Sequence, residues 1–196
     1  MNGINQNRLR GNANFSGLNF NQCPLYDTAH QTAGALAKNI PFFTSRTRGT
    51  NGPEVTNMNQ TNSLPIGEVY QVQGIGLEMI QWDYTEITAV DIKSLFRYYV
   101  LNFALNGIEI LTLPLAMIPA GGGAAIMQST GNTKDVSYYA NGAPTQQACF
   151  YLAPDNWIEI QGGQNFSANL MSLTGYTIVD DWTFRVILMG NWGKLQ

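Results

Sequence analysis

The side chains that most often carry catalysis are few in this chain and far apart in sequence. There is one histidine, His30, and there are two cysteines, Cys23 and Cys149. A nucleophilic triad would have to use His30 as its base, and a metal site built on strands needs several histidines and a carboxylate. Two distant cysteines form neither a disulfide framework nor a zinc motif. We therefore predict no catalytic residue, no metal ligand, no cofactor-binding residue and no enzyme activity.

The carboxylates are scattered and select no site by themselves. Cleavage of a glycosidic bond needs two carboxyl groups about 5–10 Å apart. Asp180 and Asp181 are the one adjacent acidic pair, which is typical of a turn before a strand, and no calcium-loop spacing is present. On sequence alone the candidates are Glu78, Asp83, Glu86, Glu109, Glu159 and Asp180.

Two further features have a structural and a functional interpretation. The run Gly121-Gly122-Gly123 lacks the Lys and Ser/Thr that follow in a phosphate-binding loop, so it predicts a flexible rim loop. Four tryptophans could line a sugar site or fill the core. Their strand positions favour the core or a subunit interface, and they are Trp82, Trp157, Trp182 and Trp192.

The composition favours a protein that works through surface contacts. Charged residues make up 12% of the chain, about half the usual share of roughly 25%. The chain instead has 20 Asn and 13 Gln, and burying an amide against a neighbour costs much less than burying a charge. The net charge of −3 creates no field that attracts nucleic acid. We expect weak or no direct nucleic-acid binding and no small-molecule substrate.

The elements that would position these residues are mostly strands joined by turns. Residues 67–81 alternate over about fifteen positions, with a phase shift near Gly74 and Gly76 that suggests a bulge or a close backbone approach. Asn106-Gly107 between two apolar runs predicts a hairpin of strands 98–105 and 108–113. Residues 86–96 indicate a short helix or a loop. The other predicted strands are 40–44, 136–139, 147–152, 157–160, 175–179 and 182–189.

This pattern predicts an all-β fold, an eight- to nine-stranded antiparallel jelly-roll sandwich, because the strand–helix alternation of a parallel sheet is absent. Residues 1–39 hold eight of the Asn residues and show no alternation. They predict an extended or partly disordered N-terminal arm, with a helical tendency at 28–38. Residues 40–196 are then the jelly-roll domain. The first ten residues have no apolar stretch and predict no secretory signal.

A long uncharged run covers residues 110–133. Its length would suit a membrane-spanning helix, but Pro114, Pro119 and the glycine run would break that helix repeatedly. We predict a strand that ends near Leu113, followed by an apolar, flexible loop. That loop would contact a neighbouring subunit, or a lipid layer if one is present.

The segment from Thr56-Asn57-Met58 to Gly74-Ile75 resembles the first barrel strand of single jelly-roll coat proteins from tailless icosahedral bacteriophages. It combines a polar lead-in, a Leu-Pro before the strand, and a long strand that contains Gly-Ile. The resemblance extends over the framework of residues 40–196. It implies a capsid protein in the virion shell, whose arm and loops contact other copies and other capsid proteins, with no catalytic residue. The alternative is a carbohydrate- or receptor-binding β-sandwich, such as a phage spike or a lectin-like module.

The uncharged loop gives the first testable prediction. In Ala125→Glu and Met127→Lys a charge is placed in a contact that we expect to be dry, where an unpaired charge costs several kcal/mol. Both variants should fold as monomers, as judged by circular dichroism, while particle formation or membrane association falls sharply. Assembly at the wild-type level in both variants would place the loop in solvent.

Overall fold

The computed structural model describes residues 18–81, 89–118, 125–128, 137–140, 149–179 and 181–195. Their pairing is antiparallel throughout. The helices are α1 (Arg48–Asn51) and α2 (Ala89–Tyr98). The strands are β1 (Leu18–Gln22), β2 (Leu25–Gln31), β3 (Gly34–Leu36), β4 (Asn39–Phe42), β5 (Glu68–Gln81), β6 (Val100–Leu105), β7 (Ile108–Pro114), β8 (Ala125–Gln128), β9 (Ser137–Ala140), β10 (Phe150–Tyr151), β11 (Ile158–Gln161), β12 (Phe166–Met171), β13 (Tyr176–Ile178) and β14 (Trp182–Leu195).

The larger sheet is built on β5 and β14, which are 14 residues each and pair along nearly their whole length. The other edge of β14 pairs first with β2 and then with β1. The other edge of β5 pairs with β11 and β10. Across this sheet the order is therefore β1 and β2, then β14, then β5, then β10 and β11.

The smaller sheet has the order β4–β12–β6–β7. Its β6–β7 hairpin turns at Asn106 and Gly107, whose φ angles are 51° and 76°. Positive φ at both central residues is the requirement of a type I′ turn, which explains why Asn-Gly stands here. The predicted hairpin is confirmed, although its first strand begins at Val100 because Tyr98 ends α2.

Apolar side chains of both sheets form one hydrophobic core. Alternate residues of β14 point into it, and Trp182 and Phe184 are fully buried. The smaller sheet contributes Phe103 and Phe166, whose rings lie 6.4 Å apart between centroids. The prediction of an all-β protein with antiparallel sheets is confirmed.

Several individual elements were predicted correctly. The long strand is β5, the predicted strand at 40–44 is β4, and the predicted helix or loop at 86–96 is the helix α2. The C-terminal strand is β14, which continues six residues beyond the predicted end at 189. Tyr176–Ile178 and Ile158–Gln161 also fall where strands were expected.

The predicted arm is wrong for much of its length. Residues 25–31 form β2 in the larger sheet, and 34–36 form β3 instead of the helix expected at 28–38. Leu25 and Ala29 are buried in the core, but the buried Asp27 stands between them and interrupts the apolar alternation of β2. The sandwich therefore does not begin at residue 40, and β5 is not its first strand. Residues 1–17 lie outside the described part.

Two further differences concern the middle and the end of the chain. Ala125–Gln128, predicted as part of a flexible loop, form β8 and pair with β9. The strand β12 was not predicted, although it lies between β4 and β6. Its buried positions are Phe166, Ala168 and Leu170, and one alanine among three makes the apolar alternation weak. The remainder of 119–136 lies outside the described residues.

The phase shift predicted near Gly74 is confirmed as both a bulge and a close approach. Met189 pairs with Gly74 and Gly190 with Val72, so that Gln73 is the extra residue of β5. A Cβ on Gly74 would lie 3.2 Å from the Phe150 carbonyl oxygen. On Gly190 it would lie 1.9 Å from the carbonyl oxygen of Gln71, so only glycine fits there.

This contact predicts a large effect of one methyl group. Gly190→Ala forces the central strands apart and should lower the free energy of unfolding by about 1–3 kcal/mol, the usual cost of overpacking. Gly49→Ala in α1 is the matched control, since a Cβ there has no neighbour within 4 Å, and it should leave stability unchanged or raise it by up to about 1 kcal/mol, the usual effect of Ala in place of Gly in a helix. Urea unfolding measures both. Equal midpoints for the two variants would contradict the close contact.

Candidate functional site

A cleft of about 660 Å³ lies between the edges of the two sheets. Its size falls within the range of roughly 300–1,000 Å³ typical of ligand-binding sites. One wall is the β6–β7 hairpin of the smaller sheet, and the other is the segment from β10 to β11 at the edge of the larger sheet. Because β7 and the β10–β11 segment lie at sheet edges, the cleft opens where the two sheets separate.

The hairpin wall is apolar. It consists of Leu105 at the end of β6 and of Ile110 and Leu111 on β7. The β6–β7 register shifts between Phe103 and Ala104, so that Ile110 is the bulged residue. Ile110 retains 46% of its exposure, which leaves it available for contact with an occupant.

The opposite wall supplies aromatic rings and the few polar groups. Tyr151 on β10 is 41% exposed, and Trp157 stands between the Pro154–Asn156 turn and β11. The Trp157 Nε1–H donates a hydrogen bond to the Leu152 carbonyl oxygen at 3.2 Å, which fixes the ring in place. Asn156 and Glu159 are the polar residues of this wall.

The described lining of this cleft is mostly apolar, which suits binding of an apolar surface. Its described lining has one carboxylate, Glu159, whose Oε1 accepts a hydrogen bond from Gln161 Nε2 at 2.9 Å. Hydrolysis of a glycosidic bond needs two carboxyl groups. Rigid aromatic rings beside apolar side chains instead favour a ligand or partner with an apolar surface.

His30 lies on the solvent side of β2, away from this cleft. Its Nδ1 is 3.2 Å from Thr183 Oγ1, and its Nε2 is 3.8 Å from Asp181 Oδ2. Asp181 also accepts a hydrogen bond from the Ala33 amide at 2.6 Å. The side chains of His30 and Asp181 are both 49% exposed, so water competes for this contact and no enclosed site forms around it.

The other carboxylate candidates are dispersed. Glu78 pairs with Arg185 at 3.0 Å across β5 and β14, and Arg185 also binds Thr28 Oγ1 and the Glu54 carbonyl oxygen. Glu109 lies on the exposed edge strand β7 and accepts a hydrogen bond from Thr112. Asp83, Glu86 and Asp180 lie outside the described residues, as do Gly121, Gly122 and Gly123.

The tryptophans have separate roles. Trp182 is fully buried in the core, as strand position predicted. Trp192 donates a hydrogen bond to Glu68 Oε2 at 3.0 Å and packs edge-on against Tyr70. Trp157 lines the cleft, and Trp82 lies outside the described residues. Sequence reasoning named Trp157 and Glu159 but did not bring them together with Ile110, because the two walls are about fifty residues apart in sequence.

Asp27 is fully buried and forms a polar cluster beneath β2. Its Oδ2 accepts hydrogen bonds from the Phe43 amide at 2.6 Å and from Arg46 Nη1 at 3.0 Å. Phe43 has a φ of 65°, so the chain turns sharply around the carboxylate. Burial raises the pKa of Asp27, and the Phe43 amide and the Arg46 cation oppose that rise. The cluster ties β2 to the connector after β4 and is structural.

The cysteines are both free and partly buried. Cys149 immediately precedes β10, and burial raises the pKa of its thiol, which disfavours the reactive thiolate. In the described ranges, no three His, Cys, Asp or Glu side chains could hold a metal ion together. The helices of those ranges are too short and too polar to cross a membrane.

A comparison with models of protein families found no family that matches this chain. A comparison with curated proteins found no related sequence.

The Asp27 cluster predicts a specific dependence of stability on pH. Because the folded-state pKa of Asp27 lies above its ordinary value of 3.8, the folded protein holds this proton after the unfolded chain has lost it. The free energy of unfolding that Asp27 contributes is therefore greatest below pH 3.8 and falls as pH rises through the folded-state pKa.

Urea unfolding of the wild type and of Asp27→Asn, measured from below pH 3.8 upwards, tests the direction of this change in stability. The wild type should lose stability relative to Asp27→Asn as pH rises, because the variant has no proton to release. A difference that moved in the opposite direction would mean that Arg46 dominates over burial.

Proposed function

We propose that this chain is a structural capsid protein: a jelly-roll subunit that assembles with copies of itself, and with other capsid proteins, into an icosahedral shell. It acts in the virion and has no catalytic role. An internal lipid layer, where the virion has one, would be a further partner of the uncharged 110–133 region. Direct binding to nucleic acid is weak or absent in this proposal.

The observation that carries the proposal is the strand order. The pairs β3–β13 and β8–β9 form separate two-stranded sheets, and β1 and β10 only extend the edges of the larger sheet beside β2 and β11. Without these six, the described part of the chain has eight principal strands, which are β2, β4, β5, β6, β7, β11, β12 and β14. Numbered one to eight along the chain, they lie in the order one–eight–three–six in the larger sheet. In the smaller sheet the order is two–seven–four–five.

Such an order has a simple origin. The strand pairs one–eight, two–seven, three–six and four–five are those of a single long antiparallel ribbon folded at the β6–β7 turn. Rolling that ribbon up sends alternate pairs to opposite sheets, and a jelly roll is built in this way from eight strands in two Greek keys. Its use in viral shells supports a capsid role, although the same architecture serves lectins.

The surface supports assembly independently of the fold. Two large apolar side chains of the smaller sheet and its turns stand far out in solvent: Leu173 at 95% and Ile108 at 70% exposure. Ile108 and Ile110 both lie on β7, which pairs on one edge alone among the described strands, and such a sheet edge is a template for association. The low share of charged residues lowers the free-energy cost of covering such side chains with a neighbouring subunit.

A second candidate function is suggested by the cleft. Trp157 and Tyr151 beside Asn156 and Glu159 combine aromatic surface with hydrogen-bonding groups, which is the combination expected of a carbohydrate-binding module. In this alternative the chain would be a lectin-like or receptor-binding β-sandwich. It requires the cleft to remain open in the working protein.

Light scattering after size-exclusion chromatography, followed by negative-stain imaging, tests the capsid proposal. The full chain should form defined oligomers or closed particles whose yield rises with protein concentration. A glycan array with the same preparation tests the alternative, with Trp157→Ala as its matched control. A chain that stays monomeric at all concentrations and binds glycans through Trp157 would replace the capsid proposal by the lectin-like one.

A further inference from the structure

The turn between β12 and β13 presents a leucine almost wholly to solvent. Leu173 is 95% exposed, and Met171 beside it is 41% exposed. The turn itself is held firmly: the Ser172 amide donates to the Lys38 carbonyl oxygen at 2.8 Å, and the Gly175 amide donates to Ser172 Oγ at 3.1 Å. An ordered turn that carries exposed apolar side chains is preorganised for contact with a partner.

This turn and the cleft lie at opposite ends of the smaller sheet. In the β12–β6 register Phe166 faces Leu105 and Met171 faces Val100. Leu105 lines the cleft, whereas Leu173 lies two residues beyond Met171. Five residue steps along β6 separate the two ends, a distance of roughly 17 Å. A single copy therefore cannot bring its own turn to its own cleft.

The two features are complementary in charge as well as in polarity. Lys38 lies at the base of the turn, since a Cβ on Gly175 would be 3.5 Å from Lys38 Cγ. In the cleft Glu159 supplies the one carboxylate of the described lining. A leucine entering between Ile110 and Trp157 would thus bring a cation towards an anion.

We propose that the Leu173 turn of one copy inserts into the cleft of a second copy, with Lys38 facing the partner's Glu159. This inference deepens the proposed function and rests on it, because it names the contact by which subunits of the shell associate. Leu173 and Met171 fill the apolar part of the cleft, and the ion pair sets the direction of approach.

The geometry makes the contact head-to-tail. Each copy has one turn and one cleft on different parts of its surface, so the contact is heterologous and leaves a free turn and a free cleft in every pair. Such contacts propagate until the rotation between copies closes a ring. An icosahedral shell contains rings of subunits about its five-fold and three-fold axes, which heterologous contacts can form, whereas a two-fold dimer would not use this contact.

Substitution of the turn tests the apolar part of the contact. Leu173→Asp places a charge in the cleft and should weaken association at least about tenfold, as expected of a residue at the centre of an interface. Ile66→Asp is the matched control, because Ile66 is equally exposed in another turn, and it should assemble as the wild type does. Sedimentation velocity of the full-length variants measures both. An equal loss of association in the two variants would overturn the assignment of Leu173 to the partner's cleft.

Exchange of charges tests the pairing. Lys38→Glu and Glu159→Lys should each weaken association about two- to five-fold, and the double variant should recover it. No recovery in the double variant would overturn the pairing of these residues. If the wild-type protein never associates, the proposed function is refuted. If the wild type associates and the Leu173→Asp variant associates equally well, only the contact proposed here is refuted.

Discussion

The pairing of β5 with β14 is the interaction on which the remaining structure depends. Each of these strands offers its second edge to two further strands, so six strands of the larger sheet are placed by one ladder. The ladder closes only because Gly190 lets the backbone approach Gln71. The bulge at Gln73 lies next to this contact. At the same position in the sheet, the neighbour on the outer edge of β14 changes from β2 to β1. The neighbour on the outer edge of β5 changes there from β10 to β11. One irregularity thus divides both long strands into two halves with different neighbours.

Much of this fold could be predicted from local patterns. Asn106-Gly107 specified the hairpin because few residue pairs accept positive φ at two successive positions. The alternation of residues 67–81 and 182–189 specified the central strands. β2 and β12 could not be predicted with the same ease, because the inward Asp27 interrupts the apolar alternation of β2 and the small Ala168 weakens that of β12. Asp27 illustrates the point: a carboxylate in a core strand looks like a surface residue until Arg46 and the Phe43 amide are brought to it.

The cleft was less predictable than the fold. Its walls come from a hairpin and from a turn that are separated by about fifty residues, and nothing in either segment marks the other as its partner. Trp157 and Glu159 were both candidates on sequence alone. The strand position of Trp157 favoured the core or a subunit interface, and nothing distinguished Glu159 from the other candidate carboxylates. Leu173 could not be recognised at all, because exposure of one leucine in a turn is a property of the folded surface.

The pairing of β1 with the end of β14 has a mechanical consequence. Leu18 lies opposite Leu195, so a force that pulls these two residues apart acts across the strands and loads their hydrogen bonds one pair at a time. The ladder then opens like a zipper, at low force. A force along β5 and β14 would instead load many hydrogen bonds together in shear. The sheet is therefore weak towards tension at this corner and strong along its long axis, and strain from this corner would peel β1 away before it disturbed the centre.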